Sequence, residues 1–256
     1  VTRTQHDLAK AQFGPQASAY VSSALHATGE DLERLRALAA AMPGARALDL
    51  GAGGGHVAYA LAAHAGQVVA CDLSPEIVAA VEEEARRRGL SNVATALAPA
   101  ERLPFEDARF DLVASRFSAH HWADLALGLR EARRVLKPGG TAVFIDIVSP
   151  AAVASDTHLQ AVELLRDPSH GRDYRVSEWT SALELAGFRV DEVRRWRLRM
   201  EFTSWTARIH TPPESMAAIR KIQVQASGAT AAHFAIEEDG SFHLDAAWLQ
   251  ATAGEV

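Results

Sequence analysis

The sequence predicts an α/β fold, a largely parallel sheet with helices on both faces, and three observations carry that expectation. From about residue 45 to 147, short β-like runs alternate with helical stretches, the pattern of successive βαβ units. The first run ends in a glycine-rich loop that opens directly into a helix. The second ends in an acid, Asp72, about twenty residues after the loop begins.

Taken in chain order, residues 5–41 read as two helices, one containing Phe13 and Tyr20 and one running from Asp31, with Met42-Pro43-Gly44 as the break. Segments 45–50, 67–72, 92–97, 110–115 and 141–148 read as strands, with helices over 55–64, 75–88 and 124–136 between them. Ser74 before Pro75 is an N-cap with a first-turn proline, Gly89 is a C-terminal stop, and Pro138-Gly139-Gly140 ends the third helix. Further on, 156–166 and 177–186 read as helices and 188–202 as one long strand or a pair. Asp239-Gly240, between Phe234-Ala235-Ile236 and Phe242-His243-Leu244, is a hairpin signal. With no repeat and no linker, residues 1–256 are expected to be a single domain. Its core spans about 45–147, a helical cover 1–44, and sheet completion plus a cap 148–256.

Composition narrows the function classes. Of 256 residues, 48% are apolar and the formal net charge is -6, which describes an ordinary globular chain. No run approaches a membrane span, and the first thirty residues are polar where a secretory signal would be apolar, so a cytoplasmic protein is expected. Cys71 is the only cysteine, which excludes an intrachain disulfide framework and a multi-cysteine zinc site. With 26 basic against 32 acidic residues, there is no basic excess to bind nucleic acid. Arg194-Arg195-Trp196-Arg197-Leu198-Arg199 looks like a basic patch. Yet Trp196, Leu198, Met200 and Phe202 alternate with charged residues, the signature of a half-buried strand. Arg86-Arg87-Arg88 ends a helix, where cations suit the dipole. A homo-oligomer is compatible with all of this.

The loop Gly51-Ala52-Gly53-Gly54-Gly55-His56 can turn sharply and let a ligand lie against its backbone. Asp72, at the end of the second strand, is placed to accept from both ribose hydroxyls of an adenosine-containing ligand. A dinucleotide fingerprint wants Gly or Ala at the sixth place, which here holds His56, and no lysine closes a phosphate loop. Asp49, just inside the strand, disfavours pyrophosphate and suits the ammonium end of an amino acid. Together these favour S-adenosylmethionine over NAD.

On these residues the chain resembles the class I S-adenosylmethionine-dependent methyltransferases, in particular the ubiquinone/menaquinone biosynthesis C-methyltransferase branch. The matching segments begin with Leu48-Asp49-Leu50-Gly51-Ala52-Gly53-Gly54-Gly55, Ala70-Cys71-Asp72-Leu73-Ser74 and Ala100-Glu101-Arg102-Leu103-Pro104-Phe105. Phe110-Asp111-Leu112-Val113 and Arg134-Val135-Leu136-Lys137-Pro138-Gly139-Gly140 complete them. The resemblance implies a Rossmann-like seven-stranded sheet with an N-terminal helical cover and a C-terminal, acceptor-side cap. It implies that Gly51 and Gly53 pass under the methionine and ribose, that Asp72 holds the ribose, and that Leu73, Ala100 and Glu101 contact the adenine. It places Arg116 and Phe117 at the methionine and sulfonium side. Many relatives carry Asp just before the Ala-Glu pair, where this chain has Pro99, so Glu101 or a backbone carbonyl must take the adenine amino group.

Methyl transfer needs alignment and exclusion of water, and a base only if the acceptor loses a proton. The segment from Arg116 to Asp124 follows the fourth strand, where the sheet edge meets the reactive end of such a cofactor. There His120, His121 and Trp122 could orient a small-molecule acceptor, and a histidine could take a proton. Equally open is that a histidine caps the next helix while Trp122 packs in the core. No metal is expected, since adjacent side chains diverge and no third ligand presents itself. Phe13 and Tyr20 either cover the sulfonium or simply anchor a surface helix. Trp205 and Arg208 join the acceptor pocket by analogy alone. Two other readings stand beside methyl transfer to carbon or oxygen: a cofactor-binding regulator without turnover, and a nicotinamide oxidoreductase.

Overall fold

The computed structural model describes residues 2–17 and 28–254. In it the apolar runs form one seven-stranded sheet, ordered β3-β2-β1-β4-β5-β7-β6. The strands are β1 (Arg46–Leu50), β2 (Gln67–Asp72), β3 (Val93–Leu97), β4 (Phe110–Arg116), β5 (Leu136–Ile147), β6 (Phe188–Met200) and β7 (Phe242–Ala253). β1 to β5 pair in parallel, and β7 enters antiparallel between β5 and β6. The chain winds outward from β1 to β3, then returns to place β4 on the other side of β1. That reversal opens a crevice at the carboxyl ends of β1 and β4, where ligands of such sheets bind.

The helices are α1 (Gln5–Phe13), α2 (Glu30–Ala40), α3 (His56–Ala62), α4 (Pro75–Arg87), α5 (Leu125–Val135), α6 (Val153–Arg166), α7 (Val176–Leu185), α8 (Phe202–Ala207), α9 (Pro213–Val224) and α10 (Gly228–Phe234). Successive strand side chains point to opposite faces, so each central strand feeds two cores. Val69, Cys71, Val113, Ala142 and Phe144 pack with α5 and α7, whereas Val68, Ala70, Leu112, Val143 and Ile145 pack with α2, α3 and α4. Helix α5 follows from an apolar stripe, Leu125, Leu129, Ala132 and Val135. It is capped by Asp124, whose side chain accepts from the Leu127 amide at 2.9 Å. Neither histidine of the 120–121 pair is the cap. Ser74 and Pro75 start α4 as expected. A third core, with Leu159, Val162, Phe202, Trp205, Ile219, Phe234, Phe242 and Leu244, joins α6, α8, α9 and α10 to the start of β7 as the cap.

Two local expectations fail. Pro138-Gly139-Gly140 lies inside β5, because α5 already stops at Val135; the segment is absorbed as a register irregularity against Phe110 and Leu112. Asp239-Gly240 turns no hairpin. Phe234 closes α10, Ala235 is its left-handed cap, and β7, which starts after the turn, pairs with β6 and β5 instead. The arginine-rich segment is β6, with Trp196, Leu198 and Met200 half-buried and the intervening arginines exposed. No helix among the described residues is long and apolar enough to cross a membrane.

Gly55 caps α3 with φ +75°, and a Cβ there would stand 2.7 Å from the Tyr59 ring. Left-handed strain of roughly 1–2 kcal/mol then adds to the clash, so Gly55→Ala should lose about 2–3 kcal/mol of stability. Urea denaturation reads this directly, and a wild-type midpoint would contradict it.

Candidate active site

The glycine loop is tied to β2 before any ligand arrives. The Gly51 and Ala52 amides both donate to the Cys71 carbonyl, at 2.9 and 3.0 Å. Asp72 Oδ2 accepts from the Gly53 amide and Oδ1 from the Ser74 amide, both at 3.0 Å. A carboxylate has about four acceptor positions, so acceptor capacity remains. Gly51 has φ +73°, and any Cβ on it would collide with the Ser118 hydroxyl. A Cβ on Gly53 would meet nothing within 4 Å. Asp49 is buried one turn of chain before the loop, its Oδ2 accepting from the Ala58 amide at 2.9 Å. Burial, reinforced by the charge of Asp72, pushes its carboxyl up to about 7 against the pull of that amide. Asp72 is also raised by burial, with the loop amides opposing. Cys71 is buried and its thiol is pushed up to about 12, so it packs and does not react.

Glu101 lines the same space, but its carboxylate is engaged. Oε1 accepts from the Ala123 and Asp124 amides at 2.7 and 3.2 Å, and Oε2 lies 3.1 Å from His6 Nε2 on α1. The acid thus fastens the 120s loop and α1 to the cofactor side. Leu73 and Ala100 line the cavity beside it.

After β4 the chain enters a polar, buried corner. Arg116 Nε donates to Asp31 Oδ2 on α2 at 2.5 Å, and its guanidinium sits 4.8 Å from the Phe117 ring. Phe117 itself takes φ +50°, a strained backbone for a residue with a Cβ. Trp122 packs on Phe144 and donates from Nε1 to Ser118 Oγ at 3.2 Å. His120 Nδ1 lies 2.6 Å from Asp146 Oδ1, and the His120 amide donates to Asp146 Oδ2 at 3.2 Å. Burial opposes a charge on His120, but Asp146, Asp173 and Glu163 outweigh it and hold the imidazolium above its usual range. His121 moves the other way, because burial and then the neighbouring His120 charge disfavour its protonation. Its Nδ1 is 3.1 Å from the Ser169 carbonyl, its Nε2 is 4.0 Å from Asp167 Oδ2, and its ring meets the edge of Phe13 at 4.8 Å.

One cavity of about 780 Å³ brings these groups together. Asp49, Gly51, Gly53, Asp72, Leu73, Ala100, Glu101, Arg116, Phe117, His120, His121, Trp122 and Phe13 all line it, as do Trp205 and Arg208 of the cap. Tyr20 lies outside the described residues. The cavity also takes in His6, Glu163, Asp167 and Asp173, which the sequence did not single out. Asp146, beneath them, left one signal, an acid in an otherwise apolar strand. The expectation that His120 has no companion ligands fails here: β5 and the loop after α6 carry Asp146 and Asp173 to within 4.8 Å of it and of each other.

A methyltransferase-domain family model matches residues 48–144. The uncharacterized methyltransferase YcgJ of Bacillus subtilis is 33% identical over 202 residues, 79% of this chain and 80% of its own length. Its crystal structure superposes with a TM-score of 0.82 at 30% identity, over 88% of this chain and all of that one. The chain is a class I S-adenosylmethionine-dependent methyltransferase. The uncharacterized protein YafE of Escherichia coli is 42% identical over 191 residues, 75% of this methyltransferase and 92% of YafE. The ubiquinone/menaquinone biosynthesis C-methyltransferase UbiE of Shewanella frigidimarina matches at 35% over 117 residues, 44% of the methyltransferase and 47% of UbiE.

The residues present fit an S-adenosylmethionine-sized ligand. Gly53 leaves open the space a side chain would fill, Asp72 keeps acceptor capacity for a diol, and Asp49 is a buried acid awaiting a cation. Removing Asp72 loses both the diol contact and the clamp on Gly53. Asp72→Ala should therefore weaken cofactor binding by a hundredfold or more by titration calorimetry, while the domain still unfolds cooperatively. Unchanged affinity would remove Asp72 from the site.

Asp49 generates a pH dependence. Its folded pKa, about 7, exceeds the ordinary 3.8, so the unfolded chain ionises first as pH rises. The ligand-free protein then loses stability between about pH 4 and 7. Asp49→Asn keeps an acceptor for the Ala58 amide and abolishes that loss. Thermal melts should show the variant's advantage growing from pH 4 to 7.5, alongside weaker cofactor binding; a deficit at every pH would refute the assignment.

Proposed function

We propose that this enzyme transfers the methyl group of S-adenosylmethionine to carbon or oxygen of a small-molecule acceptor bound between the 120s loop and the cap. The observation that carries this reading is the continuity of the cavity. It runs from the glycine loop and Asp72, past Phe117 and His121, to Trp205 and Leu244 of the cap, within the size range of small-molecule sites. S-adenosylmethionine, when bound, supplies an electrophilic methyl group on a sulfonium. The chain's residues bind, align and exclude water. Asp72 takes the ribose, Asp49 the ammonium group, and Leu73, Ala100 and the backbone near Pro99 the adenine. Glu101 instead holds the site closed through α1 and the 120s loop. Phe13 and Phe117 wall the reactive end, and Trp122 fixes the loop that carries the histidines.

His121 is the proton acceptor in this reading. With Nδ1–H donating to the Ser169 carbonyl, Nε2 keeps its lone pair, and the suppressed basicity keeps the ring neutral. His120, held protonated by Asp146, cannot serve as that base. The single buried cysteine and the slight acidity support a cytoplasmic setting.

Incubation with methyl-labelled S-adenosylmethionine and a panel of phenols, enols and quinols tests the reaction. Labelled product from one acceptor class supports it, whereas tight cofactor binding with no product from any would make the protein a regulator. With a productive acceptor, His121→Ala should lower turnover by roughly 10²–10⁴-fold at near-normal cofactor affinity. A wild-type rate would reduce His121 to scaffold.

A further inference from the structure

The wall of the cavity opposite the glycine loop gathers four buried acids. Asp146 and Asp173 are each nearly inaccessible, at 2% and 1% exposure, and Glu163 and Asp167 are buried beside them. Each of the others has a partner. Asp146 takes the His120 ring and amide and the Ile147 amide, Asp167 takes the Ser169 amide and hydroxyl, and Glu163 lies 3.5 Å from Arg166. Asp173 is different. Its Oδ2 is buried without a hydrogen-bond partner, and the nearest imidazole, His170, stands 4.0 Å away while engaging Gln160. Burial without a partner destabilises a carboxylate, and one donor atom of Asp173 lies within 4.8 Å of one from His120 and one from Asp146.

We propose that His120, Asp146 and Asp173 form a site for one first-row divalent cation, such as manganese or zinc, on the acceptor wall of the cavity. Three ligands about 2.1 Å from one ion stand roughly 3.0–3.6 Å apart, so the set, whose donor atoms now lie within 4.8 Å of one another, closes on a cation with side-chain adjustments of up to about an ångström. One imidazole and two carboxylates are a mixed nitrogen and oxygen set, which suits these ions better than calcium, with its demand for six to eight oxygens. The anionic surroundings that now hold a proton on His120 would hold the cation in its place, and the proton leaves to solvent. His120 and Asp173 both line the cavity, so the remaining coordination positions face the space assigned to the acceptor. An oxygen of the acceptor would complete the shell there, a task that depends on the proposed acceptor site; the ion site itself does not.

The test uses the full chain, stripped with a chelator and titrated with manganese, zinc and magnesium chlorides by calorimetry, with S-adenosylmethionine binding measured in parallel. One manganese or zinc ion per chain is expected, with affinity at least tenfold weaker in Asp173→Asn and in Asp146→Asn. Asp173→Asn should melt no lower than the metal-free wild type, since it replaces an unpartnered buried carboxyl by a neutral amide, and should lose the metal-induced rise in melting temperature. Absence of uptake by the wild type, or uptake that both variants retain, overturns the site. Failure of the acceptor assay with uptake intact would instead count against the methyl-acceptor reading alone.

Discussion

Three parallel strands end in buried aspartates, and the rest of the molecule is arranged around them. Asp49, Asp72 and Asp146 sit at or within two residues of the carboxyl ends of β1, β2 and β5, each less than a tenth exposed. Burying an ionised carboxylate is tolerable only with charge or hydrogen bonds in return, and each acid receives a different return. Asp72 gets the Gly53 amide of the glycine loop and the Ser74 amide at the start of α4, which ties the two together. Asp49 gets one amide, and burial holds its carboxyl well above the usual range. Asp146 gets an imidazolium, which fixes the plane of the His120 ring. One crevice therefore presents an acceptor of hydrogen bonds, a latent anion and a charged dyad along a single line.

The cofactor half of this was legible in the sequence because its signals are local. Strand, glycine loop, helix and Asp72 fall within about two dozen residues, and their relation is fixed by the geometry of one βαβ unit. The acceptor half was not. Asp146, Glu163, Asp167, Asp173 and His120 meet only because α6 and the turn after it fold back against the 120s loop, where the Gly171 and Arg172 amides donate to the His120 carbonyl. No periodicity encodes a contact between residues fifty apart. The alanine-rich second half of β7 was also invisible, since a strand sheltered on both faces needs no alternation. The 239–240 turn misled for the reverse reason: its local chemistry is real, but the flanking segment had already been claimed by the capped helix α10.

The similarity to relatives divides along the same line. UbiE matches less than half of the chain, whereas YcgJ and YafE match three quarters or more. The YcgJ and YafE likeness extends well beyond the length of the cofactor-binding core, and the UbiE likeness barely does. A carbon acceptor of the quinone type therefore does not follow from the shared core, which specifies the methyl donor and nothing beyond it.

Helix α1 lines the cavity through His6, Ala9 and Phe13, and side-chain hydrogen bonds hold it there. Gln5 Nε2 donates to the His121 and Ser169 carbonyls, His6 meets Glu101, and Gln12 donates to the Ile209 carbonyl. One short helix thus touches the cofactor side, the 120s loop, the turn after α6 and the cap. Ala9 is its one buried residue, and the half-buried Phe13 is its apolar anchor against the core of α2, α3 and α4. Side-chain hydrogen bonds worth roughly a kcal/mol each make α1 far cheaper to displace than any element of the sheet. They also couple its displacement to the His121 loop. Helix α1 thus ties the cavity wall to the cap through polar contacts more than through buried apolar area.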